Sequence, residues 1–253
     1  MDLQLTGLRA LVTGGTKGIG RATVATLAGE GAAVAFCART KADVDDYAGE
    51  LTAAGHTVAG RAVDVGDGDG IRHWVDDSAA ALGGVDILVA NVSALAIGDE
   101  EQNWQASFDV DMMHTVRLVN AAMPHLERSF AGSIVTIASV SGREIDFAAG
   151  PYGTFKAALI HYTQGLAYQL AAKGIRANSV SPGNTYFPGG VWAGMEANNP
   201  EFFAEALALN PTGRMARPEE IARCVAFVAS PAASFVTGSN LLADGALTRG
   251  VQF

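Results

Sequence analysis

Short apolar runs alternate with longer stretches whose apolar positions recur every third or fourth residue, from one end of the chain to the other. The short runs predict strands at 10–13, 33–38, 57–63, 86–91, 133–138, 176–181 and 240–243. The stretches between them predict helices near 18–29, 42–54, 69–82, 102–127, 152–173 and 218–229. Gly31, Gly55 and Gly174 stand just past three of these helices, as helix-ending glycines do. Strand and helix in regular turn imply parallel strands joined by right-handed crossovers, with helices on both faces of one sheet. One segment departs from this rhythm. Residues 183–217 are rich in Gly, Pro, Asn and aromatic side chains and exceed what a connector needs, which predicts a lid over a binding site. The whole chain, 1–253, is expected to form a single α/β domain carrying that lid.

Composition narrows the partners. Apolar residues make up 49% of the chain and charged residues 17%, enough for a large core and for apolar contacts between copies. A net charge of −9 disfavours nucleic acid and anionic membrane, both of which demand basic surface. No apolar run reaches the ~18 residues that span a bilayer. Residues 1–5 lack a basic segment followed by an apolar one, so a cytoplasmic protein is expected. Cys37 and Cys224 each sit alone in apolar segments, as buried small hydrophobes in a reducing compartment do. The five histidines form no ligand pair of metal-site spacing, so no metal is expected.

The first strand runs into Thr13-Gly14-Gly15-Thr16-Lys17-Gly18-Ile19-Gly20 and then a helix. Such a turn leaves backbone N–H groups free at the helix start, where a dinucleotide pyrophosphate rests. Read alone, it serves equally as tight strand-to-helix packing. Its spacing, G-x-x-x-G-x-G, differs from the common G-x-G-x-x-G. The next strand adds a second signal. NAD enzymes carry an acid about 20 residues past the loop; this chain has Ala38 and then Arg39. A guanidinium there pairs with a 2′-phosphate, and Lys17 adds a point charge. NADP, with NADPH preferred over NADH, is therefore the expected cofactor, the plainer reading being two solvated surface cations. Asp64-Val65 fall where an adenine edge would lie, although Asp64 serves equally as a helix cap.

Tyr152 and Lys156 are separated by one helical turn and so share a helix face. An ammonium about 4 Å from a phenolate attracts it by ~4 kcal/mol at an effective dielectric of ~20, which eases proton exchange at the phenol. Ser139, upstream, offers a hydroxyl to hold a carbonyl or alkoxide oxygen. Phe155, Leu159, Tyr162, Leu166 and Leu170 give the same helix an apolar stripe, so Tyr152 also reads as its first core aromatic. The joint occurrence of glycine turn, serine and Tyr–Lys pair favours the chemical reading.

With Asn178-Ser179-Val180-Ser181-Pro182-Gly183, Arg214-Met215-Ala216-Arg217-Pro218-Glu219-Glu220 and Gly238…Asp244-Gly245 added, the chain resembles the short-chain dehydrogenase/reductase family from Leu3 to Asp244. Its general pattern is nearest to the 3-oxoacyl-carrier-protein reductases. The resemblance implies one Rossmann-type doubly wound parallel sheet of seven strands, usually in a dimer or tetramer. It also implies hydride transfer between the nicotinamide C4 and a carbonyl or alcohol carbon. Tyr152 would then protonate the oxygen, Ser139 position it, and Lys156 bind the nicotinamide ribose. Asn91 would steady the strand near the cofactor, and Pro182, Gly183 and Thr185 would line the nicotinamide side. The chain departs from the pattern in several places. Asp111 stands where a fourth catalytic residue, Asn, is usual; it either preserves a relay through its main-chain carbonyl or adds negative charge beside Lys156. Val92-Ser93 replace Ala-Gly, Phe187 falls near the position of a carboxamide-contacting threonine, and Ala246 replaces a glycine.

The lid aromatics, Phe187 and Trp192 among them, and the loop carrying Arg143 and Phe147 are expected to wall a pocket for a medium-sized apolar ketone or secondary alcohol. A non-catalytic nucleotide-binding regulator is the competing reading, and it would tend to lose the Tyr or the Lys. Epimerases and dehydratases that share Y-x-x-x-K need a further C-terminal domain for which this chain has no room. Enoyl reductases separate the pair more widely.

Overall fold

The computed structural model describes residues 1–251. Seven parallel strands form one sheet: β1 Arg9–Thr13, β2 Ala33–Ala38, β3 Val58–Ala62, β4 Ile87–Ala90, β5 Ser133–Ile137, β6 Arg176–Pro182 and β7 Asn240–Ala243. Their spatial order is β3-β2-β1-β4-β5-β6-β7, so winding reverses between β1 and β4. Side chains on a strand alternate faces. Ala10, Val12, Ile87 and Val89 enter the core under α1 Gly18–Gly29, α2 Lys41–Ala53 and α9 Pro218–Ala229. Leu11, Leu88 and Ala90 enter the other core, under α3 Gly68–Leu82, α5 His114–Leu126 and α6 Pro151–Leu170. Two buried faces explain why these strands read as unbroken apolar runs. Cys37 lies in the second core, where burial pushes its thiol up to about 12. Among the described residues, no helix is long and apolar enough to cross a membrane.

Two expectations needed revision. The helix predicted at 102–127 is three pieces: α4 Glu101–Ser107, a π-helical turn Phe108–Met113, and α5. The lid is not irregular chain: it contains α7 Val191–Asn198 and α8 Pro200–Ala208, the latter capped by Asn199 Oδ1 accepting from the Phe202 N–H. Its base is pinned where Tyr186 N–H donates to Ala216 O at 2.8 Å and Ala216 N–H to Asn184 O at 2.8 Å.

Candidate active site

The strand ends at the carboxyl edge of the sheet, beside the winding reversal, are where an open α/β sheet makes its crevice. There the glycine turn leaves β1. Gly14 has φ +69°, and a Cβ on Gly20 would collide with the Gly14 carbonyl oxygen. Asn91, one residue beyond β4, locks the turn by donating from Nδ2 to Thr13 O at 3.1 Å. The turn thus packs tightly and also leaves α1 without a side-chain cap or an acid in its first turn. Thr16 and Lys17 lead into those free N–H groups, and Ile19 anchors the turn against the core. Arg39 is exposed just past β2 and makes no ion pair among the described residues. Lys17 pairs with Asp43 at 3.0 Å, but both side chains are solvated, so the pair is worth ~0–1 kcal/mol and can be exchanged. Asp64 does not cap α3: it accepts from Gly66 N–H at 2.9 Å, while Asp67 caps the helix. Val65 is buried beside it. These residues fit a phosphate-bearing dinucleotide.

Ser139, Tyr152 and Lys156 are brought together by two close approaches that spacing alone does not announce. Ser139 follows β5 in extended backbone and opens a single 3-10 turn, Val140–Gly142. A Cβ on Gly142 would lie 2.6 Å from the Lys156 carbonyl carbon, and one on Gly153 would lie 2.8 Å from Ser141 O. The serine turn therefore rests directly on the first turns of α6. Pro151 occupies the first position of that helix, where its fixed φ suits helix entry. Lys156 Nζ stands 5.6 Å from the Tyr152 ring centroid and donates to Ile137 O at 3.0 Å.

Asp111 supplies the negative charge. Its Oδ1 is 3.2 Å from Lys156 Nζ, with side-chain exposures of 0% and 2%. Oδ2 accepts from Ala94 N–H at 3.1 Å, whereas Oδ1 has no hydrogen bond of acceptable geometry. The π turn displays Asp111 by shifting the helical register, and polar side chains take up the carbonyls it releases. Thr115 Oγ1 donates to Asp111 O at 2.9 Å, and His114 Nδ1 lies 3.2 Å from Val110 O. His114 Nε2 meets Thr13 Oγ1 at 3.1 Å, tying the π turn to the end of β1. Burial above all, with the Lys156 charge adding to it, lowers His114 to about 4, so the ring is neutral at pH 7. A neutral ring with Nδ1–H directed at Val110 O receives the Thr13 hydroxyl on Nε2.

The lid forms its own cluster. Trp192 is buried among Tyr186, Met195, Phe202 and Phe203. Phe147 reaches it from the body, edge-on to Trp192 at 5.7 Å and to Phe202 at 5.4 Å. Two residues expected at the pocket go elsewhere. Arg143 donates to Asn240 Oδ1 at 3.0 Å, an amide oxygen at the start of β7 that the Ser181 hydroxyl also meets at 3.2 Å. Phe187 lies against the glycine turn, where a Cβ on Gly18 would sit 2.6 Å from its ring, so the missing side chain makes its seat. Thr185 Oγ1 donates to Gly183 O at 3.0 Å, next to Pro182. A cavity of about 490 Å³ opens beyond Phe187, between Arg21, Tyr47 and Pro218, and none of Ser139, Tyr152 or Lys156 lines it. Sequence reasoning missed Ser141, whose Oγ donates to Asp146 Oδ2 at 2.7 Å behind Ser139, and His114. The Ser-x-Ser-Gly spacing was the available signal for the first.

A family model described as Enoyl-(Acyl carrier protein) reductase matches residues 14–248. Isoepoxydon dehydrogenase of Penicillium expansum is 41% identical, with 98% of each chain covered. Cis-4-hydroxycyclohexanecarboxylate dehydrogenase of Sinomonas cyclohexanicum is 36% identical over 94% of this chain and 96% of that one. A short-chain dehydrogenase of Burkholderia cenocepacia, solved in complex with NADP, superposes with a TM-score of 0.86 at 31% identity, covering 96% and 99% of the two chains. With the seven-stranded sheet, these likenesses establish that the chain belongs to the short-chain dehydrogenase/reductase family, nicotinamide-dependent oxidoreductases acting on alcohols and carbonyls.

Proposed function

We propose that the chain is an NADP(H)-dependent oxidoreductase that interconverts a secondary alcohol and its ketone on a medium-sized, largely apolar ring compound. One observation carries this reading: the Ser139 turn is seated on the helix face that bears Tyr152 and Lys156, with no side chain between them. Tyr152 exchanges the proton at the substrate oxygen. Ser139 holds that oxygen, and Lys156, anchored on Ile137 O, keeps a positive charge beside the phenol and would hold the nicotinamide ribose. Asp111 balances that charge and holds the ammonium in place. A nicotinamide held there would supply or remove the hydride. The aromatic wall of Phe147, Trp192 and Phe202 supports a flat or ring-shaped substrate, as does the relative named for a hydroxycyclohexane acid.

Arg39, just past β2 and without an ion pair among the described residues, and the neighbour solved with NADP support the phosphorylated cofactor. Exposed Phe108 and Tyr168, on the helices flanking the sheet, support a homodimer or homotetramer.

The test is turnover of cyclic secondary alcohols and ketones with both nicotinamides, followed at 340 nm. NADPH is expected to give the higher kcat/KM, and Arg39→Asp to cut that preference about tenfold or more, the worth of a charge-assisted hydrogen bond. Tyr152→Phe is expected to lower kcat by roughly 10²–10⁴ with NADPH binding retained. Substantial residual turnover in that variant refutes the proton-exchange role.

A further inference from the structure

We propose that Asp146, acting through Ser141, sets the direction of the Ser139 hydroxyl, so that the resting site offers a lone pair and receives the alcohol in preference to the ketone. This rests on the role given above to Ser139.

Three oxygens form a chain. Ser141 Oγ donates to Asp146 Oδ2 at 2.7 Å. Ser139 Oγ donates to Ser141 Oγ at 3.3 Å. The Ser141 N–H donates to Ser139 Oγ at 3.1 Å. A carboxylate only accepts, so Ser141 must spend its single proton on Asp146 and can offer Ser139 nothing but a lone pair. Both serines are buried, with little water to satisfy them otherwise. The Ser139 proton is thereby drawn inward, and the face of Oγ left for a ligand is an acceptor. An alcohol O–H suits an acceptor and a ketone oxygen does not.

The two links differ in strength. The 2.7 Å bond to a carboxylate is the strong kind, while the 3.3 Å link is long for two hydroxyls. Once the alcohol has given its proton to Tyr152 and a bound nicotinamide would have taken the hydride, the Ser139 proton can rotate outward onto the new carbonyl oxygen. It changes direction and is not transferred. Asp146 also accepts the Ala148 N–H on Oδ1 at 2.8 Å, which holds the loop whose Phe147 meets the lid. Asp146 is thus a positioning residue, touching neither substrate nor cofactor.

The test uses Asp146→Asn, Ser141→Ala and the double variant on one alcohol–ketone pair. In Asp146→Asn the amide must keep its oxygen on the Ala148 N–H and turn its NH₂ toward Ser141, reversing the chain. The ratio of the ketone KM to the alcohol KM is expected to fall about three- to tenfold, the worth of one net hydrogen bond. In the Ser141→Ala background, Asp146→Asn is expected to leave that ratio unmoved, because the conduit is gone. NADPH titration of each variant reports an intact cofactor site. An unchanged ratio in Asp146→Asn overturns the proposal. So does a shift that persists without the Ser141 hydroxyl, which would mark a purely structural role. A wild-type chain inactive on every alcohol and ketone refutes the proposed function instead, and takes this proposal with it.

Discussion

Two buried carboxylates, each paired with a cation, lie at opposite edges of the same sheet, and the pairs are built differently. At the amino edge, Asp86 Oδ2 accepts from the Arg9 N–H at 2.9 Å and from Nε at 2.7 Å. Oδ1 accepts from Arg9 Nη2 at 2.7 Å and from the Ser129 hydroxyl at 2.6 Å. Burial pushes the Asp86 carboxyl up, but bonds from Arg9 and Ser129 outweigh it and hold the group below its ordinary value. At the carboxyl edge, Asp111 and Lys156 lie 3.2 Å apart without a well-aligned bond on Oδ1. The amino-edge pair is saturated. The other keeps valence in reserve: an ammonium has three donors, and Ile137 O is the one well-aligned acceptor Lys156 has among the described residues. Saturation belongs to a fastener between β1 and β4; reserve belongs where a ligand is to be bound.

The largest test of this contrast is Asp86→Ala, which strands the Arg9 charge. Unfolding free energy is expected to fall by about 3–5 kcal/mol, read from the Tm and denaturant midpoint, with turnover per folded molecule unchanged. Loss of turnover without loss of stability would erase the distinction.

Acid should next separate the two edges. His114 is lowered from 6.5 to about 4 in the folded chain, so the unfolded chain binds the extra proton between those values. The stability it contributes is complete above pH 6.5 and is lost as pH falls toward 4, about 3 kcal/mol in all. The Asp86 pair contributes its loss only below about 3.8, the carboxyl's ordinary value. Denaturation midpoints between pH 7 and 4 measure the window, and His114→Asn is expected to flatten it; an unaltered slope would mean the ring is not the group responsible.

Asp111→Asn is expected to cost less than Asp86→Ala, since Lys156 keeps its bond to Ile137 O, although the single amide oxygen serves either Lys156 or the Ala94 N–H and not both. Its effect should appear in kcat and in a displaced pH–rate profile. A stability loss as large as that of Asp86→Ala would mean the carboxyl-edge pair is also a fastener. The smallest effect belongs to Glu144, whose Oε1 accepts the exposed Arg249 and Gly250 N–H groups at 3.1 and 2.8 Å. Glu144→Gln should change the unfolding free energy by less than about 0.5 kcal/mol, setting the baseline for a polar substitution outside both pairs.

The alternation of elements, the glycine turn and the chain order of Ser139, Tyr152 and Lys156 were legible in the sequence. Apolar periodicity and glycine sterics act between neighbours, and neighbours are what a sequence displays. The break at 108–113 was not legible, because no Gly or Pro marks it. It is stabilised by His114 reaching Thr13, 101 residues away, and by Asp111 facing Lys156 and Ala94. Phe187 turned from substrate wall to cover for Gly18 for the same reason: its seat is a side chain missing from a distant turn. Local propensity wrote the strands and helices. Only tertiary packing decided which carboxylate meets which cation and which hydroxyl points inward, since a buried charge or proton takes its partner from whatever the fold brings within reach.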